Sequence, residues 1–267
     1  MTKEDIKDAE KFYNARRNRE EITICMATHP PKKMLWKNAY ADLREQCDRF
    51  ILVLGGEYCN HIPEGFLDDN HKRDIESGKL KVVVAGKDGL PEDKGCQNKF
   101  MFYGDFPGYY CTMDDDIRYS KNCVYQLIKK YEEYRRKAIV SFFGRRFSIK
   151  DGKVLPRLDK KECFYHDKCH RDQFCHKIGC GCAMFRPVDF TLTKEEFLSK
   201  SKNEGDDEIL ALWAQINGVP LMAVDNTHCL ISRQPHDKKT GLNYSHRLTH
   251  HRFKMWSLWT SWRLVTL

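Results

Sequence analysis

Three consecutive carboxylates, Asp114-Asp115-Asp116, follow the apolar, β-prone run Tyr109-Tyr110-Cys111-Thr112-Met113. A strand there delivers them at its C-terminal end. Side chains alternate along an extended chain, so Asp114 and Asp116 are expected on one side and Asp115 on the other. Two hard oxygen donors on one side suit Mg²⁺ or Mn²⁺, and ligands of open α/β sheets lie in the crevice beyond the carboxyl ends of the strands. A solvated acidic turn is the competing explanation, because charged residues are mostly exposed. A calcium loop is excluded: the twelfth position counted from Asp114 is Tyr125, not glutamate.

A second concentration of reactive side chains is Cys163, His166, Cys169, His170, Cys175, His176, Cys180 and Cys182. Tetrahedral Zn²⁺ takes four such ligands, often in pairs two to four residues apart. Cys163 and His166, with Cys175 and Cys180 or Cys182, are the candidates for a structural zinc. Their spacing matches no standard finger, and reduced cysteines lining a loop explain the same residues.

Composition frames both sites. The chain has 267 residues, 41% hydrophobic and 12% aromatic, enough for a real core in one large or two small domains. Its 46 Lys and Arg against 38 Asp and Glu leave a net charge of +8. That balance suits an anionic ligand, polymer or membrane surface, and also serves solubility alone. The first residues, Met-Thr-Lys-Glu-Asp, lack the apolar core of a signal peptide, and no run approaches the roughly 20 apolar residues of a membrane span. A cytoplasmic location is expected, with the twelve cysteines mostly reduced.

The elements that must position these residues follow from periodicity. Ile6 to Glu21 has a helical stripe of Ile6, Ala9, Tyr13 and Arg17. Glu21 to Ala27 predicts a buried strand stopped by Thr28-His29-Pro30-Pro31, Trp36 to Arg49 a helix, and Phe50 to Leu54 a second strand ending at Gly55-Gly56. Lys81 to Ala85 predicts a third strand, Lys99 to Tyr103 a short helix, and the Tyr109 run a fourth strand. Ser120 then caps a helix with the stripe Val124, Leu127, Ile128 and Tyr131. Ala138 to Phe143 is a further strand, and Phe147 to Leu158 a hairpin turning at 150–153. Gly179 to Phe185 is a small-residue loop entering a strand. A helix opens at Gly205-Asp206-Asp207-Glu208, shows Ile209, Leu212, Trp213 and Ile216 on its face, and stops at Gly218-Val219-Pro220, before the strand Leu221 to Val224. Continuous apolar strands alternating with helices predict an α/β fold, a mostly parallel sheet covered on both faces.

In this order the motifs resemble nucleotide-sugar-dependent glycosyltransferases of the GT-A fold, which is Rossmann-like. The resemblance is greatest to the N-acetylglucosaminyltransferase subunits of bacterial heparosan-type capsule synthesis. It rests on Met26-Ala27-Thr28-His29-Pro30-Pro31, His61-Ile62-Pro63, Lys99-Phe100-Met101-Phe102 and Thr112-Met113-Asp114-Asp115-Asp116-Ile117-Arg118-Tyr119. It continues in Ile178-Gly179-Cys180-Gly181-Cys182 and in Asp206-Asp207 with Asn217-Gly218-Val219-Pro220 downstream. It covers roughly residues 22 to 228. No long linker divides the sequence, which reads as one domain with appendages: an N-terminal helical appendage (1–21), a glycosyltransferase domain (22–235) and a basic aromatic tail (236–267).

The resemblance implies an inverting transfer of a sugar, N-acetylglucosamine in the nearest case, from a UDP-sugar to a saccharide. Negative charge grows on the departing diphosphate, and a divalent cation held by carboxylates stabilises it as a Lewis acid. Asp116 is the first metal ligand, Asp114 serves the ribose or the metal, and Asp115 is left open on the nucleotide side. Ala27, Thr28 and His29 line the base pocket, and Lys99 reaches the diphosphate or the uracil, unless it is a surface lysine of an amphipathic helix. The acceptor hydroxyl needs a general base. Asp207 matches that position, with Glu204 and Glu208 as substitutes, although Asp206 or Asp207 would also favour a helix N-terminus without any reaction. A late histidine, His228 or else His246, is a further metal candidate.

The tail from His250 to Arg263 spaces Trp256, Trp259 and Trp262 at three-residue intervals among basic residues. Such a helix docks on its own sheet, lies peripherally in a membrane interface near a lipid-linked acceptor, contacts a partner subunit, or stacks on nucleic acid. The net charge of +8 suits an anionic polymer as acceptor, an acidic polysaccharide in the first case. Two other functions fit the composition. One is a phage-type transferase acting on hydroxymethylated bases in DNA, and the other a non-catalytic, zinc-containing nucleic-acid-binding protein.

Overall fold

The computed structural model describes residues 3–15, 19–30, 35–147, 149–150, 153–154, 163–164, 169–200, 202, 205–227, 230–234 and 265. Its centre is an eight-stranded mixed sheet. The first four members are β1 (Ile22–Thr28), β2 (Arg49–Leu54), β3 (Leu80–Val84) and β4 (Tyr109–Asp114), all mutually parallel where they pair. A short β5 (Ile117–Tyr119) follows, and β6 (Ile139–Ser141) rejoins the main sheet, succeeded by β7 (Gly144–Arg145). The hairpin expected at Phe147 is present as β8 (Ile149–Lys150) and β9 (Lys153–Val154). β10 (Cys163–Phe164) and β12 (Lys177–Ile178) flank β7, whereas β11 (Gln173–Cys175), β13 (Cys182–Phe185) and β14 (Leu221–Ala223) complete the main sheet. The last, β15 (Ile231–Arg233), pairs with β5.

The spatial order is β11-β14-β6-β13-β4-β1-β2-β3. β13 runs antiparallel to both neighbours and β11 antiparallel to β14; the others share one direction. This is an α/β architecture with a mostly parallel sheet, as the apolar strands predict.

Alternation along the central strands explains how both faces become covered. Ile22, Ile24 and Met26 of β1 and Phe50, Leu52 and Leu54 of β2 pack on one side with Trp36, Ala39, Tyr40 and Leu43 of α2 (Leu35–Leu43). Val124, Leu127, Ile128 and Tyr131 of α4 (Cys123–Glu133) join that side, the stripe expected from their spacing. Cys25, Ile51 and Val53 face the other way, toward Phe100, Phe197 of α5 (Glu195–Leu198), and Ile209, Leu210, Ala211, Trp213 and Ala214 of α6 (Asp206–Asn217). The N-terminal α1 (Lys3–Asn14) docks on the first side: the Tyr13 hydroxyl donates to Gln46 Oε1 at 3.2 Å and accepts from the Tyr125 N–H at 2.7 Å.

Several elements differ from their sequence-based bounds. The strand carrying the acidic triplet ends at Asp114, and the chain turns through Asp115-Asp116 before β5. Alternation therefore does not extend to Asp116. Ser120 is not the cap of α4, which begins after Asn122; its hydroxyl instead bonds the Asn122 side chain. The Lys99 segment is a 3-10 helix, Gly95–Phe100, and not an amphipathic α-helix. Ile216 is 57% exposed, because α6 buries a broad face centred on Leu210 and Ala214, away from that residue.

Helix α3 (Asp69–Glu76) escaped the periodicity, since Ile75 is its single aliphatic residue. It is held by an Asp68–His71 capping box and by His71 lying against Trp36 with ring centroids 4.8 Å apart. The tail from 236, apart from Val265, lies outside the described residues, as do Glu204, His228, His246, His166 and Arg17. Among the described residues no helix is long and apolar enough to cross a membrane.

Candidate functional site

Beyond the C-terminal ends of β1, β2 and β4 lies an open cleft lined by Ala27, Thr28, His29, Gly55, Gly56, Asp93, Gly95, Cys96, Lys99, Asp114, Asp115 and Lys202. Counted with the part open to solvent, it holds about 540 Å³ of space. Parallel strands ending together create such a crevice. Six of the residues singled out from the sequence are there together.

Each wall is held by a specific bond. Thr28 closes β1, and its buried hydroxyl donates to Asp115 Oδ2 at 2.7 Å. Asp115, 1% exposed, is thereby tied to the neighbouring strand. The turn itself is bracketed by Gln234, which follows β15: its amide nitrogen donates to the carbonyls of Asp115 and Ile117, and its backbone N–H to that of Asp116. Asp116 does not line the cleft. Asp114 and Asp115, adjacent across the strand end, replace the expected pair Asp114 and Asp116.

Asp114 is fixed from behind. The Tyr119 hydroxyl accepts from the Asp114 N–H at 2.9 Å and donates to the Gly181 carbonyl at 2.7 Å. A Cβ on Gly181 would stand 2.3 Å from Asp114 Oδ2, and one on Gly179 would enter the ring of Phe143. The small-residue loop before β13 is thus glycine where a carboxylate and a ring press on its backbone.

Lys99 forms the floor. It is 3% exposed, and its ammonium lies 2.6 Å from Asp114 Oδ1, 3.3 Å from the Cys180 carbonyl and 2.7 Å from Asp206 Oδ2, the last off the hydrogen-bond axis. Burial disfavours its charge, yet Asp114 and Asp206 outweigh burial and hold its pKa well above that of an ordinary lysine. Burial raises the pKa of Asp206, with Lys99 opposing the shift. The surface-lysine alternative is thus set aside by the geometry.

Asp206 and Asp207 are the first residues of α6, and neither caps it: Gly205 is the N-cap, with no side-chain bond. Asp207 Oδ1 accepts from the Cys180 N–H at 2.7 Å, and Oδ2 lies 3.3 Å from Lys177 Nζ. Glu208, 1% exposed, is ion-paired with Lys177, so it cannot meet an acceptor as a substitute base.

Asp93, unmarked in the sequence, organises the opposite rim. Its carboxylate accepts from the N–H groups of Gly56 and Gly95 and from the Asn98 amide at 2.8–2.9 Å, and pairs with Lys202. Against the penalty of burial, these donors lower its pKa to about 2. A depressed carboxyl stabilises the fold above its unfolded pKa of about 4 and ceases to do so as pH falls through its folded value. Unfolding stability should therefore drop between about pH 4 and pH 2. After allowance for solvent screening the Asp93 share is on the order of 1 kcal/mol. Acid denaturation of Asp93→Asn should show a shallower loss over that window, and an identical profile would show that Asp93 contributes none of it.

The zinc expectation finds no convergence among the described residues. Cys182 packs on one face of the sheet beside Ser141, while Cys169, Cys175 and Cys180 lie on the other. Cys169 Sγ donates to backbone carbonyls, and His176 Nδ1 accepts from the Phe147 N–H. Cys180, Asp206 and Asp207 bring ligand atoms within 4.8 Å of one another, and burial with these same carboxylates raises the Cys180 thiol pKa well above normal.

Nor does the acidic turn fit a divalent ion as the Asp114 and Asp116 pair would have held it. Asp116 is off the cleft, Asp115 Oδ2 is engaged by Thr28, and an ammonium already stands where Asp114 and Asp206 converge. No protein-family model matches the chain, and no curated protein shows significant similarity to it.

Proposed function

We propose that this protein is a nucleotide-sugar-dependent glycosyltransferase of GT-A type, transferring a sugar, N-acetylglucosamine as the first candidate, from its UDP donor to a saccharide acceptor. The observation that carries this is the cleft itself. Beyond three parallel strands it gathers Ala27, Thr28, His29, Lys99, Asp114 and Asp115, and through Lys99 it is tied to Asp206, the residue before Asp207 at the start of α6.

The chemistry asks for those groups. The nucleoside rests against Ala27 to His29 and Asp115, and its diphosphate extends over Gly55-Gly56 toward Lys99. Asp207 takes the proton of the acceptor hydroxyl as its oxygen attacks the anomeric carbon. The new C–O bond forms as the bond to the β-phosphate oxygen breaks, and UDP departs with the electron pair. Direct displacement inverts the anomeric centre.

The test is UDP release from a panel of UDP-sugars, with and without acidic polysaccharide or hydroxymethylated DNA. Release accelerated by a saccharide is expected. Transfer to DNA alone would keep the chemistry and replace the acceptor; no UDP from any donor would sink the proposal.

A further inference from the structure

A buried ammonium is costly unless oxygens surround it. Lys99 has three: Asp114 Oδ1 from the end of β4, Asp206 Oδ2 from the start of α6, and the Cys180 carbonyl from the loop before β13. Three oxygens converging from three elements is also how a protein holds a hard cation; here the ammonium donates to two of them, Asp114 Oδ1 and the Cys180 carbonyl, and meets Asp206 Oδ2 as a charge off the hydrogen-bond axis, which leaves one of its three donors for a ligand. The lysine is not free to leave. Its carbonyl accepts from the buried Tyr110 hydroxyl at 2.7 Å, and the next residue, Phe100, stacks on Phe197 with ring centroids 3.5 Å apart.

We infer that Lys99 is the resident cation of this site, and that its ammonium, in place of a bound divalent ion, stabilises the charge developing on the diphosphate as the sugar leaves. The inference rests on the glycosyltransferase function proposed above. A fixed charge in the cleft wall needs no reorganisation at the moment of reaction. A divalent ion held by Asp114 and Asp206 would have to displace this ammonium from the oxygens it now occupies. Asp114 then acts by holding Lys99, which accounts for its place in the cleft while Asp116 lies outside. The chain Asp114–Lys99–Asp206 also joins the diphosphate end of the cleft to the helix start that carries the base.

The transfer step is complete without a metal. The proton of the acceptor goes to Asp207, the electron pair of the broken bond goes to UDP, and no redox partner is involved.

Calorimetric binding of uridine and of UDP to the full chain, in EDTA and in Mn²⁺, tests this. Wild type in EDTA should bind UDP tighter than uridine by about tenfold or more, the worth of one charge-assisted contact. Mn²⁺ should change UDP affinity by less than about twofold. Lys99→Met should abolish the preference for UDP while leaving uridine binding intact, and Lys99→Arg should restore part of it. A purely structural lysine would weaken both ligands alike. UDP binding by wild type that requires Mn²⁺, or a preference that survives Lys99→Met, overturns the inference. If Lys99→Met fails to fold by circular dichroism, the wild-type comparison of EDTA with Mn²⁺ decides alone. Binding of neither ligand under either condition would defeat the proposed function itself, an outcome distinct from Mn²⁺-dependent binding.

Discussion

Asp207→Asn is expected to lower the rate of sugar transfer by about 10²–10⁴-fold, the usual contribution of a positioned general base, with UDP affinity unchanged. The substitution is nearly isosteric, and asparagine can still accept the Cys180 N–H that Asp207 Oδ1 accepts at 2.7 Å. What it loses is the capacity to take a proton. Single-turnover transfer measured beside UDP binding separates these effects. Unchanged transfer would move the role of base to another carboxylate, and Glu204 is the next to test because Glu208 is buried against Lys177.

Gly181→Ala should weaken UDP binding by about tenfold to a hundredfold, the scale of a 1 Å misplacement in a preorganised site. The added methyl would stand 2.3 Å from Asp114 Oδ2 and 3.1 Å from Phe143 Cζ. The backbone cannot yield easily there, because the Gly181 carbonyl is bonded by the Tyr119 hydroxyl. The carboxylate must therefore move, and Lys99 loses its 2.6 Å contact. A double-mutant cycle checks the route. In an Asp114→Ala background the Gly181→Ala effect should nearly vanish, and full additivity would show that the glycine acts elsewhere.

Some of this site was legible in the chain. Thr28 and Asp114 end apolar runs that are unmistakably strands, and strands that run parallel must finish on the same side. Asp207 was placed by Gly205 before it and by the apolar spacing after it. Asp116 misled, because side-chain alternation holds only while the backbone stays extended, and nothing within the triplet indicates that the strand stops at its first member. The turn is set by Gln234, more than a hundred positions away. Lys99 was ambiguous for the same reason. A lysine reads as surface until its partners are known, and Asp206 is distant in the chain. Asp93 and Lys202 carried no local signal at all.

The sequence by itself determined the class of fold, the apolar strands and the loops at their ends, since burial of apolar side chains at periods of 2 and 3.6 is a local pattern. Only the tertiary structure decided which charges meet. Asp114, Lys99 and Asp206 lie on separate elements, and whether an ammonium or a metal ion suits their oxygens depends on distances that hydrophobic patterning does not encode.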